Sequence, residues 1–411
     1  MTASRASMAG RDRASEEVSA RFERRPNVLL RVLDRATRPP WLTLFAAEGK
    51  GRDLFDLATQ REYQLDLTGP PNTQWQPYIN PPLLAVALAP LTSLSYRYAY
   101  WAFSGLALLA FIGSMVLLKP TLTYLARNWL TWVTTLALTA SWLPLFRSMA
   151  SGQNSLFTIF LLVGLYAAWK DNRMILAGVW LGLISYKPQF GLLLGVVFLA
   201  RGMWVALTAA GVTAAAHYAL GAVFMGADWP LRMVDTLRLH RTLEHQIFGN
   251  HISILPVASH SLPGPIAAWV AAIAIACVAV LCVWQARRIG PTDVRFPVLY
   301  GLLICGTLLV SPHLQHYDVA VLAIPTVLTL DYMLSQGRQP SLPLRLLLTF
   351  GFLFYPLYRI GESIGFQPLF LWLLAVFIWD WTLLAWRPSV KEPNAEQLEA
   401  SVRNALDGAP A

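Results

Sequence analysis

Charge is what this 411-residue sequence has least of: 32 basic and 23 acidic residues make 13% of the chain, against about 25% in ordinary soluble domains. With 55% of the residues apolar, that scarcity excludes a disordered chain and argues against a soluble enzyme. The charges are also unevenly placed, with 22 in residues 1–80, 7 after residue 386 and only 26 in the 306 residues between. Cysteine is scarcer still. Cys277, Cys282 and Cys305 all fall in apolar runs with neither metal-ligand nor disulfide spacing, so they read as small core hydrophobes. The first 80 residues hold no long apolar run. Their best stretch, 27–47, is broken by Arg31, Asp34, Arg35, Arg38 and the pair Pro39-Pro40, which excludes a membrane span and a signal peptide there.

What is present is a long apolar middle. A helical span needs about 20 apolar residues to cross a hydrocarbon core, so the block has room for about ten crossings. Candidate spans lie at 97–118, 129–147, 155–169, 174–186, 188–200, 203–225, 264–286, 296–312, 317–335, 343–358 and 366–386, and a shorter apolar stretch at 81–94 reads as an interfacial helix. The expected fold is an all-α polytopic bundle of about 10–11 membrane helices. The polar segments divide it into 1–48, 49–386 and a cytoplasmic tail at 387–411. The runs 174–186 and 188–200 are read as two short helices forming a hairpin, because Pro188 biases Lys187 away from helical dihedrals and a charge at mid-bilayer is expensive.

The formal charge of +9 would suggest nucleic acid in a soluble protein. Here the unpaired Lys and Arg sit in short loops, where they set orientation, and no nucleic-acid partner is expected. Placing Lys119, Arg127, Lys170, Arg173, Arg201, Arg287, Arg288, Arg295, Arg338 and Arg345 inside puts 78–82, 152–154, 187–189, 226–262 and 313–318 together on the outer face.

That face holds the residues able to do chemistry. Gln153 and Asn154 carry amides suited to a sugar or phosphate, although Asn is equally a helix cap. Lys187 either snorkels or meets a phosphate, beside Gln189. In 311–318, two imidazoles and a carboxylate, His313, His316 and Asp318, crowd a membrane boundary where charge is otherwise rare. A helix after Pro312 would put both His on one side, an extended start would align His316 with Asp318, and the run is equally a helix-boundary decoration. In 228–260, Arg238, Arg241 and His245 have the spacing of one helical face and could hold a phosphate, or could simply be solvated. His217, inside an apolar run, marks a cavity or is a neutral core histidine. The histidines have no zinc spacing, so no metal is expected.

With these residues placed, the chain resembles glycosyltransferase family 87, a branch of the GT-C superfamily of polyprenyl-phosphate-mannose-dependent mannosyltransferases. The resemblance rests on Tyr78-Ile79-Asn80-Pro81-Pro82-Leu83, Ala89-Pro90-Leu91 and Tyr100-Trp101, then Gly152-Gln153-Asn154, Gly182 to Gln189, and Ser311 to Asp318, in order and in register over about 49–335. It implies a GT-C-like bundle in a bacterial inner membrane, with an outward-facing site, a polyprenyl-phosphate sugar donor, a lipid or glycan acceptor and no cofactor. Gln153, Asn154, Lys187 and Gln189 would contact the donor, Arg238 or Arg241 its phosphate, and His316 and Asp318 would lie beside the reacting centre. Members begin with a transmembrane helix, and an aspartate early in the first outer loop is the expected base. Residues 1–48 offer no such span. Asp34 is in the wrong context, and Asp56, in Leu54-Phe55-Asp56, resembles a later "LYD" element of that loop rather than the base itself, yet it is the carboxylate of this segment that stands with His316 and Asp318 as a catalytic candidate. The expectation is therefore a damaged N-terminal segment that would leave the chain inactive as written. A transporter or flippase of lipid-linked sugars and a noncatalytic membrane subunit are the rival readings.

Overall fold

The computed structural model describes residues 51–68, 78–244, 252–364 and 366–385. These form 17 α-helices with no strand among the described residues. In chain order they are α1 (Leu57–Thr68), α2 (Leu83–Leu88), α3 (Tyr96–Leu118), α4 (Trp129–Ala140), α5 (Leu143–Ala150), α6 (Ser155–Lys170), α7 (Met174–Leu183), α8 (Leu192–Ala200) and α9 (Trp204–Met225). There follow α10 (Trp229–Glu244), α11 (Ile254–Ser261), α12 (Gly264–Arg288), α13 (Phe296–Val310), α14 (Ala323–Ser335), α15 (Leu342–Thr349), α16 (Phe354–Ile364) and α17 (Pro368–Ala385). The fold is an all-α polytopic helical bundle. The segments 1–48 and 387–411, including Asp34 and the proposed damage to the N-terminus, lie outside the described residues.

The number of full spans differs from the sequence expectation. Among the described residues, five helices are long and apolar enough to cross a membrane: Arg97–Thr121, Trp204–Met225, Gly264–Arg288, His316–Ser335 and Pro368–Ala385. The pair α4–α5 would make a sixth but bends by 54° at Ser141-Trp142, where Pro144 opens the second helix. Ser155–Lys170, Met174–Tyr186, Pro188–Ala200 and Phe296–Val310 are apolar but shorter. Two of them, α6 and α13, are central to the bundle and buried over most of their length. The expected span at 343–358 is broken into α15 and α16 by the turn around Gly351, and α16 carries Arg359 on an amphipathic surface unsuited to crossing. Cys282 and Cys305 are buried as expected, whereas Cys277 is exposed on the outer side of α12.

The hairpin at 174–200 is present. Lys187 takes φ −134° and ψ 76°, between short 3-10 turns at Ile184–Tyr186 and Pro188–Phe190. Trp169, at the end of α6, packs on Phe198 of α8 with ring centroids 4.8 Å apart, so both arms of the hairpin start and finish at one end of the bundle. The tip is at the other. The arm α7 lies against α9 through Gly178 and Gly182, spaced four residues apart. A Cβ at Gly178 would stand 2.1 Å from the Ala206 carbonyl oxygen, and one at Gly182 would stand 2.4 Å from Thr213 Cβ. Small residues at this spacing let two membrane helices approach backbone to backbone. Gly182→Val should force the helices apart at a cost of about 1–3 kcal/mol, read as a lowered unfolding midpoint in detergent. An unchanged midpoint would show that the contact is not tight.

The two ends differ in chemistry. At one, Lys170 Nζ donates to the Thr121 carbonyl at 2.7 Å, Arg201 donates to Ile289 O at 2.8 Å and also to Ala286 O, and Arg295 pairs with Asp293 at 2.8 Å. These bonds stop the C-termini of helices and hold the basic loops together. The buried Asp331 of α14 adds a further link, accepting the backbone N–H groups of Thr123, Tyr124 and Leu125 at 2.7–2.9 Å. The opposite end carries a small separate core of Leu54, Phe55, Tyr78, Ala85, Met225 and Trp229. Gln60 ties it together, donating to Leu54 O at 2.6 Å and accepting from Tyr78 N at 2.7 Å. Thr236 of α10 donates to Phe55 O at 2.5 Å.

Candidate functional site

At this second end the N-terminus of α6, the hairpin tip and the turn after α13 meet. Asn154 precedes α6, Tyr186 and Lys187 form the tip, and Asp318 opens the 3-10 segment His316–Leu322 that leads into α14. Lys187 Nζ donates to Asp318 Oδ1 at 2.7 Å, and Ser155 Oγ donates to the same oxygen at 3.0 Å. The ion pair is closed to solvent, with side-chain exposures of 4% and 2%. The ammonium also lies 5.4 Å from the Phe190 ring centroid and 5.7 Å from that of Tyr317, a range at which ring faces attract a cation.

Around this pair the polar groups are ordered. Tyr186 OH contacts Thr158 Oγ1 at 2.5 Å and donates to the Asn154 carbonyl at 3.2 Å, which fixes the tip against α6. Asp318 closes a capping box with Gln315, so one carboxylate both starts its own helix and neutralises Lys187. Two buried side-chain oxygens nearby in the chain, Asn154 Oδ1 and Ser148 Oγ, have no hydrogen-bond partner. Buried polar atoms in native proteins are overwhelmingly paired, and here the orphans sit on the segment 148–155 that borders the Asp318 turn. They are atoms a ligand hydroxyl or a water can satisfy.

The remaining sequence candidates are placed unevenly. Gln153 and Gln189 are half-buried, the first in the turn before α6 and the second on the hairpin tip. His316 is half-buried; its ring lies 4.8 Å from that of Tyr358 on α16 and 5.2 Å from that of Tyr317. His313 Nε2 lies 3.0 Å from Gln315 Nε2. His217 is buried on α9 and bonds Ser185 and Leu83. Arg238 points outward and pairs with Asp235 at 3.2 Å, both largely exposed. Arg241 lies on the same helix, but its side chain and all of His245 fall outside the described residues.

Asp56 is exposed and caps α1, its Oδ1 accepting the Thr59 N–H at 2.7 Å. That backbone bond holds its carboxyl below the usual carboxylate range. A depressed carboxyl stabilises the helix above its unfolded pKa and loses the effect as pH falls through the folded one. Asp56 thus sits where a helix cap is needed.

Sequence reading did not single out Ser155 or Thr158. Ser155 and Thr158 are three apart, hence on one face of α6, but only the positions of Asp318 and Tyr186 mark that face as polar. Among the described residues no group of three His, Cys, Asp or Glu side chains is placed to hold a metal ion.

The arrangement offers a fixed cation with its counter-ion, unpaired hydrogen-bonding oxygens and a titratable imidazole at one end of a membrane bundle. Cations and amides of this kind stabilise charge on a leaving phosphate, and an imidazole or carboxylate can take a proton from an attacking hydroxyl. Comparison with known proteins found no curated protein and no solved structure that matches. A family model described as Glycosyltransferase family 87 matches residues 78–312, a stretch that contains the Pro81-Pro82 turn, Gly152-Gln153-Asn154, the hairpin tip and His217. Since that match covers more than half of the 411 residues, this multi-pass membrane protein belongs to glycosyltransferase family 87.

Proposed function

We propose that this glycosyltransferase moves a hexose, with mannose as the first candidate, from a polyprenyl-phosphate donor to a lipid or glycan acceptor on the periplasmic side of a bacterial inner membrane. The observation that carries the reading is the buried Lys187–Asp318 pair at 2.7 Å, located at the end of the bundle opposite the basic loops. Basic loops mark the cytoplasmic side, so the pair belongs to the outer one. A site near one surface, and not at the midplane between two halves, supports transfer over transport.

In the proposed reaction the acceptor hydroxyl oxygen attacks the anomeric carbon while the bond from that carbon to the phosphate oxygen breaks. The bonding electrons leave with the polyprenyl phosphate, and Lys187 supplies the cation that meets this charge. The hydroxyl proton passes to a base. His316 is the proposed acceptor, because Asp318 Oδ1 already takes two donors and is closed to solvent. Asn154 and Gln153 would receive sugar hydroxyls, and Gln189 would border the donor phosphate. Arg238 and Arg241 would serve as phosphate partners only if α10 turned toward the tip, since Arg238 now faces outward.

The test is incubation of membranes containing the chain with radiolabelled polyprenyl-phosphate mannose. Loss of one leaving-group contact costs about 10²–10³ in kcat, and Lys187→Ala should lose that much while the protein stays inserted. Transfer by Lys187→Ala at the unmodified rate would remove Lys187 from the mechanism. No transfer by the unmodified chain would reject this donor for the chain as it stands.

A further inference from the structure

His217 is an intramembrane imidazole with both ring nitrogens engaged by other parts of the chain. It is 6% exposed. Its Nε2 accepts the Leu83 backbone N–H at 3.2 Å, and its Nδ1 lies 2.8 Å from Ser185 Oγ. A backbone N–H can only donate, so Nε2 carries no hydrogen and the ring proton is on Nδ1, directed at Ser185. One neutral side chain therefore joins α9, the start of α2 and the hairpin tip.

The surroundings make this a shaped contact. Gly221 lies one turn further along α9 on the same face, where a Cβ would come within 2.6 Å of Pro82 Cγ and 2.8 Å of Trp229 Nε1. The Pro81–Leu83 turn is thus seated on α9 at two successive turns, by a hydrogen bond at 217 and by close packing at 221. Tyr78 strengthens the same turn, donating its hydroxyl hydrogen to Pro81 O at 2.6 Å. On the other side Ser185 is two residues from Lys187. Tyr186, between them, is held by Thr158 and Asn154.

We propose that His217 is a positioning residue of the transferase: it locks the hairpin tip to the Pro81–Leu83 turn and so sets the place of Lys187. Its consequence for catalysis rests on the reading of Lys187 given above; the lock itself does not. A glutamine keeps one acceptor and one donor on adjacent atoms and can replace the imidazole, whereas a leucine can fill the space but bonds neither partner. Ser185 and His217 act through one contact, so their effects should not add.

Two measurements on the purified full chain test this. In hydrogen exchange, His217→Leu should raise exchange in both 81–84 and 184–191 at least tenfold, and His217→Gln should stay within threefold of the unmodified protein. In donor transfer, His217→Leu should lower kcat at least tenfold with KM for the donor changed less than threefold. His217→Gln should recover most of that loss, and Ser185→Ala/His217→Leu should be no slower than His217→Leu alone. Unchanged exchange at 184–191 in His217→Leu overturns the lock. Changed exchange with unchanged kcat overturns the positioning role. If the unmodified chain transfers nothing, the functional reading fails, and the exchange measurement alone decides whether His217 holds the tip.

Discussion

Asp318→Ala is expected to destabilise the protein by about 3–5 kcal/mol, the usual cost of leaving a buried charge without its partner. The loss should appear as a lower unfolding midpoint in detergent and as vanished transfer. Lys187 sits 4% exposed with one carboxylate against it, and neither Phe190 nor Tyr317 can replace a full negative charge. The Ser155 hydroxyl would also lose its acceptor. A joint replacement, Lys187→Met with Asp318→Leu, should behave differently. Swapping a whole buried ion pair for apolar side chains of similar volume is often neutral or stabilising, so this variant should melt near the unmodified protein and still transfer no sugar. That pattern separates the two tasks of the pair. If the double variant unfolds like Asp318→Ala, the pair is needed for folding in its own right. If it retains transfer, Lys187 has no part in the chemistry.

The second large effect is expected at the other end. Asp331→Asn should cost about 1.5–3 kcal/mol, the worth of one hydrogen bond to a charged group. Asp331 Oδ1 accepts two backbone N–H groups and Oδ2 accepts a third. An asparagine can keep the first two, but its NH₂ would then face the N–H of Thr123, donor against donor. Asp331→Ala should cost more, because Leu125 is buried and little water reaches its amide. Each variant should lower the unfolding midpoint yet leave kcat per folded molecule close to normal, since the site lies at the opposite end of the bundle. A large fall in kcat at unchanged stability would connect the two ends and contradict that separation.

Some of the site is legible in the amino-acid sequence. The Lys187-Pro188 step predicts the break that makes a hairpin, and the structure has it because proline restricts the preceding residue in any context. The clustering of 152–154, 187–189 and 313–318 at one end follows from counting helices between them. Other roles depend on contacts that spacing along the chain does not reveal. The spacing of Arg238 and Arg241 is that of a helix face, but a face can turn to solvent, and Arg238 meets Asp235 there. Asp56 has the acidic side chain of a base and also of a helix cap, and its bond to Thr59 N–H shows the cap. The run 343–358 has the composition of a span, yet Trp142 fills the space beside Gly351 and the chain turns at that point. His316 and Asp318 are two residues apart, but Asp318 is buried in its capping box while the His316 ring lies against that of Tyr358.

The sequence by itself determined the membrane class, the order of the apolar helices, the two chemically different ends and the resemblance to family 87. These depend on composition, hydropathy over windows of about 20 residues and motif order, all of which are properties of neighbours along the chain. Only the tertiary structure decided that Lys187 is neutralised by Asp318, 131 positions away, that Asp331 anchors a loop more than 200 positions before it, and that His217 joins Leu83 to Ser185. A buried charge needs one partner within bonding distance, and which partner it finds is set by how the helices pack.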